Sequence, residues 1–395
     1  MDNKKSFILG LIIGVVLMVG VTVGHDYFYR QARWGGGMSP NEKVERIYSL
    51  VSRYSILPFD RHEMIENMYR GLLAGVGDPY TQYLCVEALN AFHVRTDGTF
   101  VGIGVRVYMD PHDRLLTLAS VFRDAPASAA GLMPGDKIIG VDGIDVAGRS
   151  QPEIMGLIAG EEGTNVNLEI FRPYENIRFN VDIIRARVVV PTVFHEMIET
   201  DGRLTGYIRI EGFERPTYNQ FAMALTELIN NGMDSLIIDV RNNPGGLLNV
   251  VVDITNRLVP EGIITYVENV DGFREYHNSS SSYLGMPLVI LMNERSASAS
   301  EVLAGAVQDT GAGALVGQQT FGKGIVQNLL YLNDGTAIKL TIAKYFTPNG
   351  TSIHGIGLEP DFVVEMDEGL SRRIGDLPFE DDVQLQVGLR MVLGK

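Results

Sequence analysis

The chain has 395 residues, 45% of them hydrophobic, and a formal net charge of -15. This length and apolar content favour two or three globular domains with substantial cores. The negative charge, with no basic cluster to reverse it locally, argues against a nucleic-acid partner. The sequence has one cysteine, Cys85, and neither a CxxC pair nor an HExxH helix, so we expect no disulfide, metal ion or cofactor.

The N-terminus carries a nearly uncharged run, residues 7–24, directly after a short stretch with two lysines. As a helix this run would extend about 27 Å, close to the thickness of a bilayer core. A cleaved signal peptide is the alternative, but its apolar region is usually shorter and a small-residue cleavage site follows it. We therefore expect residues 1–30 to be an uncleaved signal anchor, with the rest of the chain on the extracytoplasmic side. Residues 31–40, which contain "RWGGGMSP", have the composition of a flexible tether.

Four segments of different pattern follow the tether. Residues 41–95 show apolar positions at helical spacing, which predicts a small helical module. Residues 96–186 contain short β-type runs separated by Gly, Pro and Asp, which predicts one compact, mostly β domain. Residues 187–366 alternate apolar strands with helices, and the runs "LIIDV" and "LVILM" predict buried parallel strands. Residues 367–395 predict an amphipathic helical tail, which could pair with a second subunit.

A helix is predicted inside the β domain. Ser150 and Glu153 have the spacing of a capping box, which marks a helix N-terminus. Ile154, Leu157 and Ile158 then fall on one face of the helix, and this face requires a sheet to cover it.

The stretch "RSASASEVLAGAVQ" places three serines between an apolar strand and a helix of small residues. A hydroxyl at a helix N-terminus is most often a cap for an unpaired amide. The alternative is that one serine is a nucleophile beside amides that could stabilise an oxyanion. Because a serine hydroxyl is a poor nucleophile by itself, this alternative requires a base elsewhere in the chain.

The candidate base is Lys323, in "GQQTFGKGIVQ". If the run that follows is a strand, Lys323, Ile325 and Gln327 share one face, and Gln327 could hydrogen-bond the amine. Burial would keep the amine neutral, as a general base requires. The alternative is a solvated lysine on a loop.

A third segment, "IIDVRNNPGGLLNVV", ends a strand in a turn rich in Pro and Gly. Its glycines, Gly245 and Gly246, could present a backbone N–H to the same oxyanion. The alternative is an ordinary strand-to-helix turn, in which these residues are common.

Together these segments resemble the carboxyl-terminal processing peptidases, also called tail-specific proteases. The resemblance extends from about residue 41 to the C-terminus and rests on "DPYTQYL" (78–84), "FVGIGV" (100–105), "APASAAGLMPGDKIIGVDG" (125–143), "DVRNNPGGLL" (239–248), "SASASE" (296–301), "TFGKGIVQ" (320–327) and "YFTPNGTSIHGIGLEPD" (345–361). It implies an α/β fold, with a crotonase-like or ClpP-like protease core, an inserted PDZ domain, an N-terminal helical module and a membrane anchor. A homodimer is a further implication.

The resemblance assigns roles to individual residues. It implies that Ser298 is the nucleophile, Lys323 the general base and Gln327 the residue that positions the lysine. Ser296 and Ser300 would then be turn and cap residues. The implied activity is that of a serine endopeptidase that cleaves protein substrates near their C-termini.

The resemblance also implies an oxyanion hole, built from the N–H of Ala299 and that of Gly245 or Gly246, and the sequence does not choose between the two glycines. In the implied PDZ domain, residues 96–186, a substrate tail with a free C-terminus would add as a strand beside the loop and helix that contain Gly102, Ile103, Gly104, Val105, Ile154, Leu157 and Ile158. The structural alternative for the apolar members of this set is that they seal a small core.

Two rival functions remain open. A membrane-tethered PDZ adaptor would bind tails without cutting them, but Ser298, Lys323 and Gln327 are all present. A serine hydrolase could instead use His277 or His354 as its base. Alkylation of histidines would separate this rival from a lysine-based enzyme.

Overall fold

The computed structural model describes residues 38–280 and 282–394. The predicted anchor, residues 1–30, lies outside the described residues, as does nearly all of the tether. Across the two described ranges, no helix is both long and apolar enough to cross a membrane. The chain from Arg70 onward forms one compact unit, and the described residues before it belong to another.

Helices dominate the start of the described chain. The elements are α1 (Pro40–Tyr54), α2 (Arg61–Ala74), the short strand β1 (Gln82–Leu84) and α3 (Val86–Asp97). Ser39 caps α1, because its hydroxyl accepts the N–H of Glu42 at 3.3 Å and the Glu42 carboxylate accepts the N–H of Ser39 at 2.8 Å. This reciprocal pair satisfies two N–H groups that have no partner inside the helix.

The mostly β domain follows α3. Its elements are β2 (Thr99–Gly102), β3 (Val105–Met109), β4 (Leu116–Val121), α4 (Pro126–Ala129), β5 (Lys137–Val141), β6 (Ile144–Asp145), α5 (Gln151–Ile158), β7 (Asn165–Arg172), β8 (Ile177–Ile184) and β9 (Ala186–Val189). The main sheet has the order β3-β4-β5-β7-β8, with β6 paired to β5. Strands β2 and β9 pair with each other as an antiparallel ribbon where the chain enters and leaves the domain.

Helix α5 begins at the predicted capping box. The carboxylate of Glu153 accepts the N–H of Ser150 at 2.8 Å and its hydroxyl at 2.6 Å. Ile154 and Ile158 are buried in the domain core, and Leu157 is only partly buried against it. The amphipathic face predicted from the sequence therefore covers the sheet.

The α/β part of the chain follows β9. Its elements are β10 (Val193–Thr200), β11 (Arg203–Ile210), α6 (Thr217–Asn230), β12 (Ser235–Asp239), α7 (Leu248–Thr255), β13 (Gly262–Asn269), β14 (Arg274–Ser279), β15 (Leu288–Met292), α8 (Ala299–Asp309), β16 (Ala314–Gly317), β17 (Ile325–Tyr331), β18 (Ala337–Phe346), β19 (Phe362–Val363), α9 (Glu368–Ser371), a 3-10 turn (Phe379–Asp381) and α10 (Val383–Val392).

The central sheet has the order β10-β11-β12-β15-β16-β19. Strands β11, β12, β15, β16 and β19 run parallel, and β10 is antiparallel to β11. The run "LVILM" forms β15, and "LIIDV" lies in β12 up to Asp239; every residue of both strands is buried, so the prediction of buried parallel strands is confirmed.

Along each strand of the central sheet, successive side chains point to opposite faces. Ile238 and Ile290 point into one core, shared with helices α6, α7 and α8, whereas Ile237 and Val289 point into another. Helix α10 covers the second face with Leu385, Leu389 and Val392. The apolar side of the C-terminal helix therefore packs on its own chain and is not available to a second subunit.

A second, antiparallel sheet has the order β1-β18-β13-β14, with β17 paired to the other edge of β18. A β-bulge interrupts the pairing of β17 between Val326 and Gln327. Helices α7 and α8 lie beside this sheet as well as against the central one. The turns that precede these two helices therefore lie between the two sheets.

Candidate active site

Ser298 lies in the turn between β15 and α8, directly before the first helical residue. Its backbone has a φ of 57° and a ψ of −113°. A positive φ is uncommon outside glycine, and such strained backbone clusters at functional sites. The residue is half-buried.

The flanking serines bond to the backbone of neighbouring turns. Ser296 is fully buried, and its hydroxyl accepts the N–H of Asn293 at 2.9 Å. The hydroxyl of Ser300, also fully buried, donates to the carbonyl of Asn243 at 3.0 Å. The two have structural roles, but the expectation that Ser300 caps the helix is wrong, since the N-cap residue is Ser298.

The carboxylate of Glu301 joins the serine turn to the glycine-rich loop before β17. Its Oε1 accepts the hydroxyl of Thr320 at 2.6 Å and the N–H of Gly322 at 2.7 Å. Its Oε2 accepts the N–H of Ser298 at 2.8 Å and that of Lys323 at 2.9 Å. Glu301 is fully buried, and four donors compensate for its removal from water.

Tyr345 makes a second connection between the same two segments. It is buried, and its hydroxyl donates to the carbonyl oxygens of Ser298, at 2.9 Å, and Lys323. Burial, together with the nearby charge of Glu301, raises the pKa of this phenol well above its ordinary value. The tyrosine is therefore a permanent donor to the two backbones.

Lys323 lies in the loop that leads into β17, and its side chain is partly buried. Burial lowers the pKa of its amine, and the charge of Arg95 lowers it further, against the opposing effects of Asp78 and Glu301. The Nζ lies 4.9 Å from the centroid of the Tyr80 ring. Desolvation of this kind moves a lysine toward its neutral form.

The side chain of Gln327 does not contact the lysine in the arrangement described. Its Nε2 donates to the carbonyl of Tyr80. Within residues 38–280 and 282–394, no hydrogen bond joins the Lys323 amine to Gln327 or to the Ser298 hydroxyl; hydrogen bonds of this kind often tighten only when substrate binds. The register shift at this point leaves the extra residue, Ile342, on β18 and none on β17, and Lys323, Ile325 and Gln327 all line the cavity described below.

The two glycines of "NPGG" differ in their hydrogen bonds. The N–H of Gly245 donates to the Asn243 side chain at 2.8 Å. The N–H groups of Gly246 and Ala299, in contrast, have no hydrogen-bond partner in the described part of the chain. Gly245 has a φ of 102°, and a Cβ there would lie 2.7 Å from the Cβ of Ser298, so only glycine fits beside the serine.

These residues line one cavity of about 360 Å³, together with Arg95 and Lys339. It is bounded by Ser298, Ala299, Gly245, Gly246, Lys323, Gln327 and Tyr345, among others. Of the described residues around it, none is a histidine, and His354 is exposed on the surface. The structure thus offers no support for a serine and histidine pair.

In the β domain, the predicted tail-binding residues fall into two groups. Ile103, Ile154 and Ile158 are buried in the core, whereas Val105 and Leu157 are partly exposed. Packing inside the domain requires glycine at Gly104, which has a φ of 82° and where a Cβ would lie 2.2 Å from that of Ala125. At Gly102 a Cβ would meet only the edge of the Phe100 ring, at 2.7 Å.

A binding edge is nevertheless open beside these residues. Among the described residues, β3 pairs only with β4, which leaves its other edge free, and the N–H groups of Ile103 and Gly104 have no partner. A free strand edge next to unpaired amides is the arrangement in which a peptide tail can add as a strand.

Comparison with known proteins identifies the family. The profile of Peptidase family S41 matches residues 204–364, and that of the PDZ domain matches residues 118–172. The chain is 35% identical over 332 residues to the carboxy-terminal processing protease CtpB of Bacillus subtilis, covering 84% of this chain and 69% of the relative. The chain belongs to the carboxyl-terminal processing proteases of peptidase family S41.

Further relatives agree with this assignment. The carboxyl-terminal-processing protease of Synechocystis is 35% identical over 347 residues, covering 87% of this chain and 81% of the relative. A solved structure of an S41 protease from Bacteroides fragilis, at 16% identity, covers 86% of this chain and 93% of its own with a TM-score of 0.56, which supports the fold. The mixed α/β protease fold with a PDZ domain is confirmed, and the chain is a serine-type protease by family, which disfavours the adaptor.

Three residues of the site were not singled out from the sequence. Glu301 stood in the quoted "SASASE", where an acidic residue in the first helical turn is ordinary and gives no sign of its contacts. Asn243 and Tyr345 also stood in quoted segments. Their hydrogen bonds link segments distant in sequence, which local patterns do not show.

Proposed function

We propose that this chain is a serine endopeptidase that cleaves protein substrates near their C-termini, with Ser298 as nucleophile and Lys323 as general base. The observation that carries the proposal is the shared cavity: a strained serine, a partly buried lysine of lowered pKa and two unpaired N–H groups line it together. These are the components of acyl transfer by a serine without histidine.

The mechanism follows from these groups. The neutral Lys323 amine removes the proton from the Ser298 hydroxyl, whose oxygen attacks the scissile carbonyl carbon. The N–H groups of Ala299 and Gly246 donate to the oxyanion of the tetrahedral intermediate. The lysine ammonium then gives its proton to the leaving amine as the C–N bond breaks. Water, deprotonated by the same amine, hydrolyses the acyl-enzyme and releases the serine.

Gln327 is assigned to the positioning of Lys323 once substrate is bound. This assignment requires its side-chain amide to leave the Tyr80 carbonyl and turn toward the amine. We assign the second N–H donor of the oxyanion hole to Gly246 and not to Gly245, because the N–H of Gly245 already donates to the Asn243 side chain.

The PDZ domain is assigned to recognition of the substrate tail. The tail would pair with the free edge of β3, its carboxylate on the N–H groups of Ile103 and Gly104 and its side chains over Val105 and Leu157. In the Ser298→Ala chain, which binds without cutting, amidation of a model peptide should weaken binding, and Leu157→Ala should weaken binding of the free acid by removing a side-chain contact. Equal affinity for acid and amide would contradict tail recognition.

The remaining parts of the proposal rest on the resemblance. They are a crotonase-like or ClpP-like core at residues 187–366, a PDZ domain at 96–186, a helical module at 41–95 and a tail at 367–395. An anchor at residues 1–30 would hold the catalytic domain on the extracytoplasmic side of a membrane. Any homodimer would use a surface other than the apolar side of α10.

The experiment that tests the proposal compares Ser298→Ala, Lys323→Ala and Lys344→Ala on an unfolded protein with an apolar tail, with products measured by mass spectrometry. Lys344 is an exposed lysine on β18 and is the matched control. Both site variants should lose cleavage while thermal unfolding shows that they fold. Full activity in either would remove the assignment, and loss in His354→Ala would support the histidine rival.

A further inference from the structure

Two cations in the cavity take no direct part in the bond-making and proton-transfer steps of the proposed mechanism. Arg95, on α3, and Lys339, on β18, line it together with Ser298 and Lys323. Among the described residues, neither Arg95 nor Lys339 forms an ion pair with a carboxylate, although the chain as a whole is acidic. Burial lowers the pKa of the Lys339 amine, and the charges of Lys323 and Arg95 lower it further. An anion that enters the cavity would stabilise the charged forms of Arg95 and Lys339.

The strand register places Lys339 along the cleft from the proposed base. Lys339 lies opposite Leu329, and Thr341 lies opposite Gln327. Residues two apart on a strand share a face and are about 7 Å apart. Lys339 therefore lies roughly two residues of extended peptide beyond Gln327, on the face of β17 and β18 that borders the cavity.

The carboxylates that face these cations are already committed. Glu301 accepts four hydrogen bonds, as described above. Asp78 accepts the N–H of Tyr80 at 3.0 Å and the hydroxyl of Thr81 at 2.6 Å. Glu214 lines the cavity, accepts the hydroxyl of Thr217 at 3.3 Å, and has its pKa raised by burial. Among the described residues, none of these carboxylates forms an ion pair with Arg95 or Lys339, so both cations keep N–H donors for a ligand.

We propose that Lys339 and Arg95 form a subsite for a carboxylate of the bound peptide, within about three residues of the scissile bond. The inference rests on the proposed function and adds a substrate preference to it. The carboxylate could be the free C-terminus of a short tail or an acidic side chain near the cleavage point. The first source would make release of very short C-terminal peptides the favoured reaction, independently of the PDZ domain.

The test uses a quenched fluorogenic peptide that the wild-type chain cleaves close to its C-terminus. It is made as the free acid, as the C-terminal amide, and as amides with one Asp at each of the first three positions after the cleaved bond. For each version kcat/KM is measured with Lys339→Met, with Arg95→Gln, and with Lys344→Met as control on the same strand. Arg95 is exposed on a helix, so its variant tests the subsite even if Lys339→Met does not fold.

The expected result is that Lys339→Met and Arg95→Gln reduce the ratio of acid to amide kcat/KM by about fivefold to tenfold, whereas Lys344→Met leaves the ratio unchanged. A similar loss for an Asp-containing amide would assign the subsite to acidic side chains instead. An unchanged ratio in both variants overturns the subsite. Equal slowing of acid and amide with a displaced pH profile also overturns it, because these charges would then act only on Lys323. Ser298→Ala is assayed on the same peptides. If it abolishes cleavage, the proposed function stands even when the subsite is overturned.

Discussion

Lys323 donates its backbone N–H to the Oε2 of Glu301 at 2.9 Å. The same oxygen accepts the N–H of Ser298, so one buried carboxylate fixes the backbones of the proposed base and nucleophile relative to each other. The two residues are 25 positions apart in the chain, and neither local segment could place the other. The geometry of the pair therefore depends on a residue that takes no part in the proposed chemistry.

Glu301→Gln should reduce both activity and stability. The amide would place an NH2 group against at least one backbone N–H, leaving buried donors without an acceptor, at a cost of about 2 to 4 kcal/mol in the free energy of unfolding. We expect kcat to fall at least tenfold. Denaturant unfolding and kcat measure the two effects, and Glu294→Gln, an exposed glutamate before the serine turn, is the control. Wild-type kcat in Glu301→Gln would contradict this view of the site.

Asn243→Ala should lower kcat with little change in KM. The Asn243 side chain accepts the N–H of Gly245 at 2.8 Å and donates to the carbonyl of Ile210 at 2.8 Å, which keeps the "NPGG" backbone in place while the N–H of Gly246 stays free. Loss of one oxyanion donor costs about a hundredfold in kcat. Steady-state kinetics on a peptide substrate provide the measurement. A rise in KM alone would point to a role in substrate binding instead.

The pH dependence should follow the lowered pKa of Lys323. Because the base must be neutral, kcat/KM should rise with pH through a pKa below the ordinary lysine value of 10.5. Arg95→Gln removes a positive charge and should move this limb to higher pH by about half a unit, less at high salt. Arg123→Gln, an exposed arginine in the PDZ domain, is the control. A shift of this limb to lower pH in Arg95→Gln would contradict the prediction.

The same lowered pKa affects stability. Between the folded and unfolded pKa values of Lys323, the unfolded chain binds the proton more strongly, so the free energy of unfolding rises with pH in that window.

Asp382→Ala should destabilise the attachment of the C-terminal helix. Its carboxylate accepts a hydrogen bond from each terminal nitrogen of the fully buried Arg241, both at 2.8 Å. It also caps α10 by accepting the N–H of Leu385 at 3.0 Å. Removal of one partner of a buried pair costs about 3 kcal/mol. Asp382→Asn keeps the cap and should lose about 1 kcal/mol less. Equal unfolding midpoints for Asp382→Ala and the neighbouring control, Asp381→Ala, would contradict the prediction.

The parts of the fold that the sequence predicts are those set by local pattern. Continuous apolar runs predict β12 and β15, because only strands covered on both faces need them. The Ser150 and Glu153 spacing predicts the start of α5 for the same local reason. The serine turn could likewise be placed between a strand and a helix from its neighbours alone.

The parts that could not be predicted depend on tertiary contacts. The bulge in the pairing of β17 with β18 leaves Ile342 without an opposite residue, and a bulge of this kind leaves no mark in the sequence pattern. The amphipathic C-terminal helix shows an apolar side but not which surface covers it, and that surface is the chain's own sheet. The proposed choice of Gly246 over Gly245 rests on the hydrogen bond that the N–H of Gly245 donates to the Asn243 side chain, which the sequence does not show.

The ribbon of β2 and β9 makes the chain cross into and out of the PDZ domain at a single place. The N–H of Val190 donates to the carbonyl of Gly98 at 2.8 Å, just where the two crossings meet. A tight turn between Gly98 and Val190 could replace the whole intervening domain without changing the path of the rest of the chain. Under the proposed tail recognition, PDZ domains of other specificity could be exchanged at the same junction, so that selectivity and bond cleavage change separately.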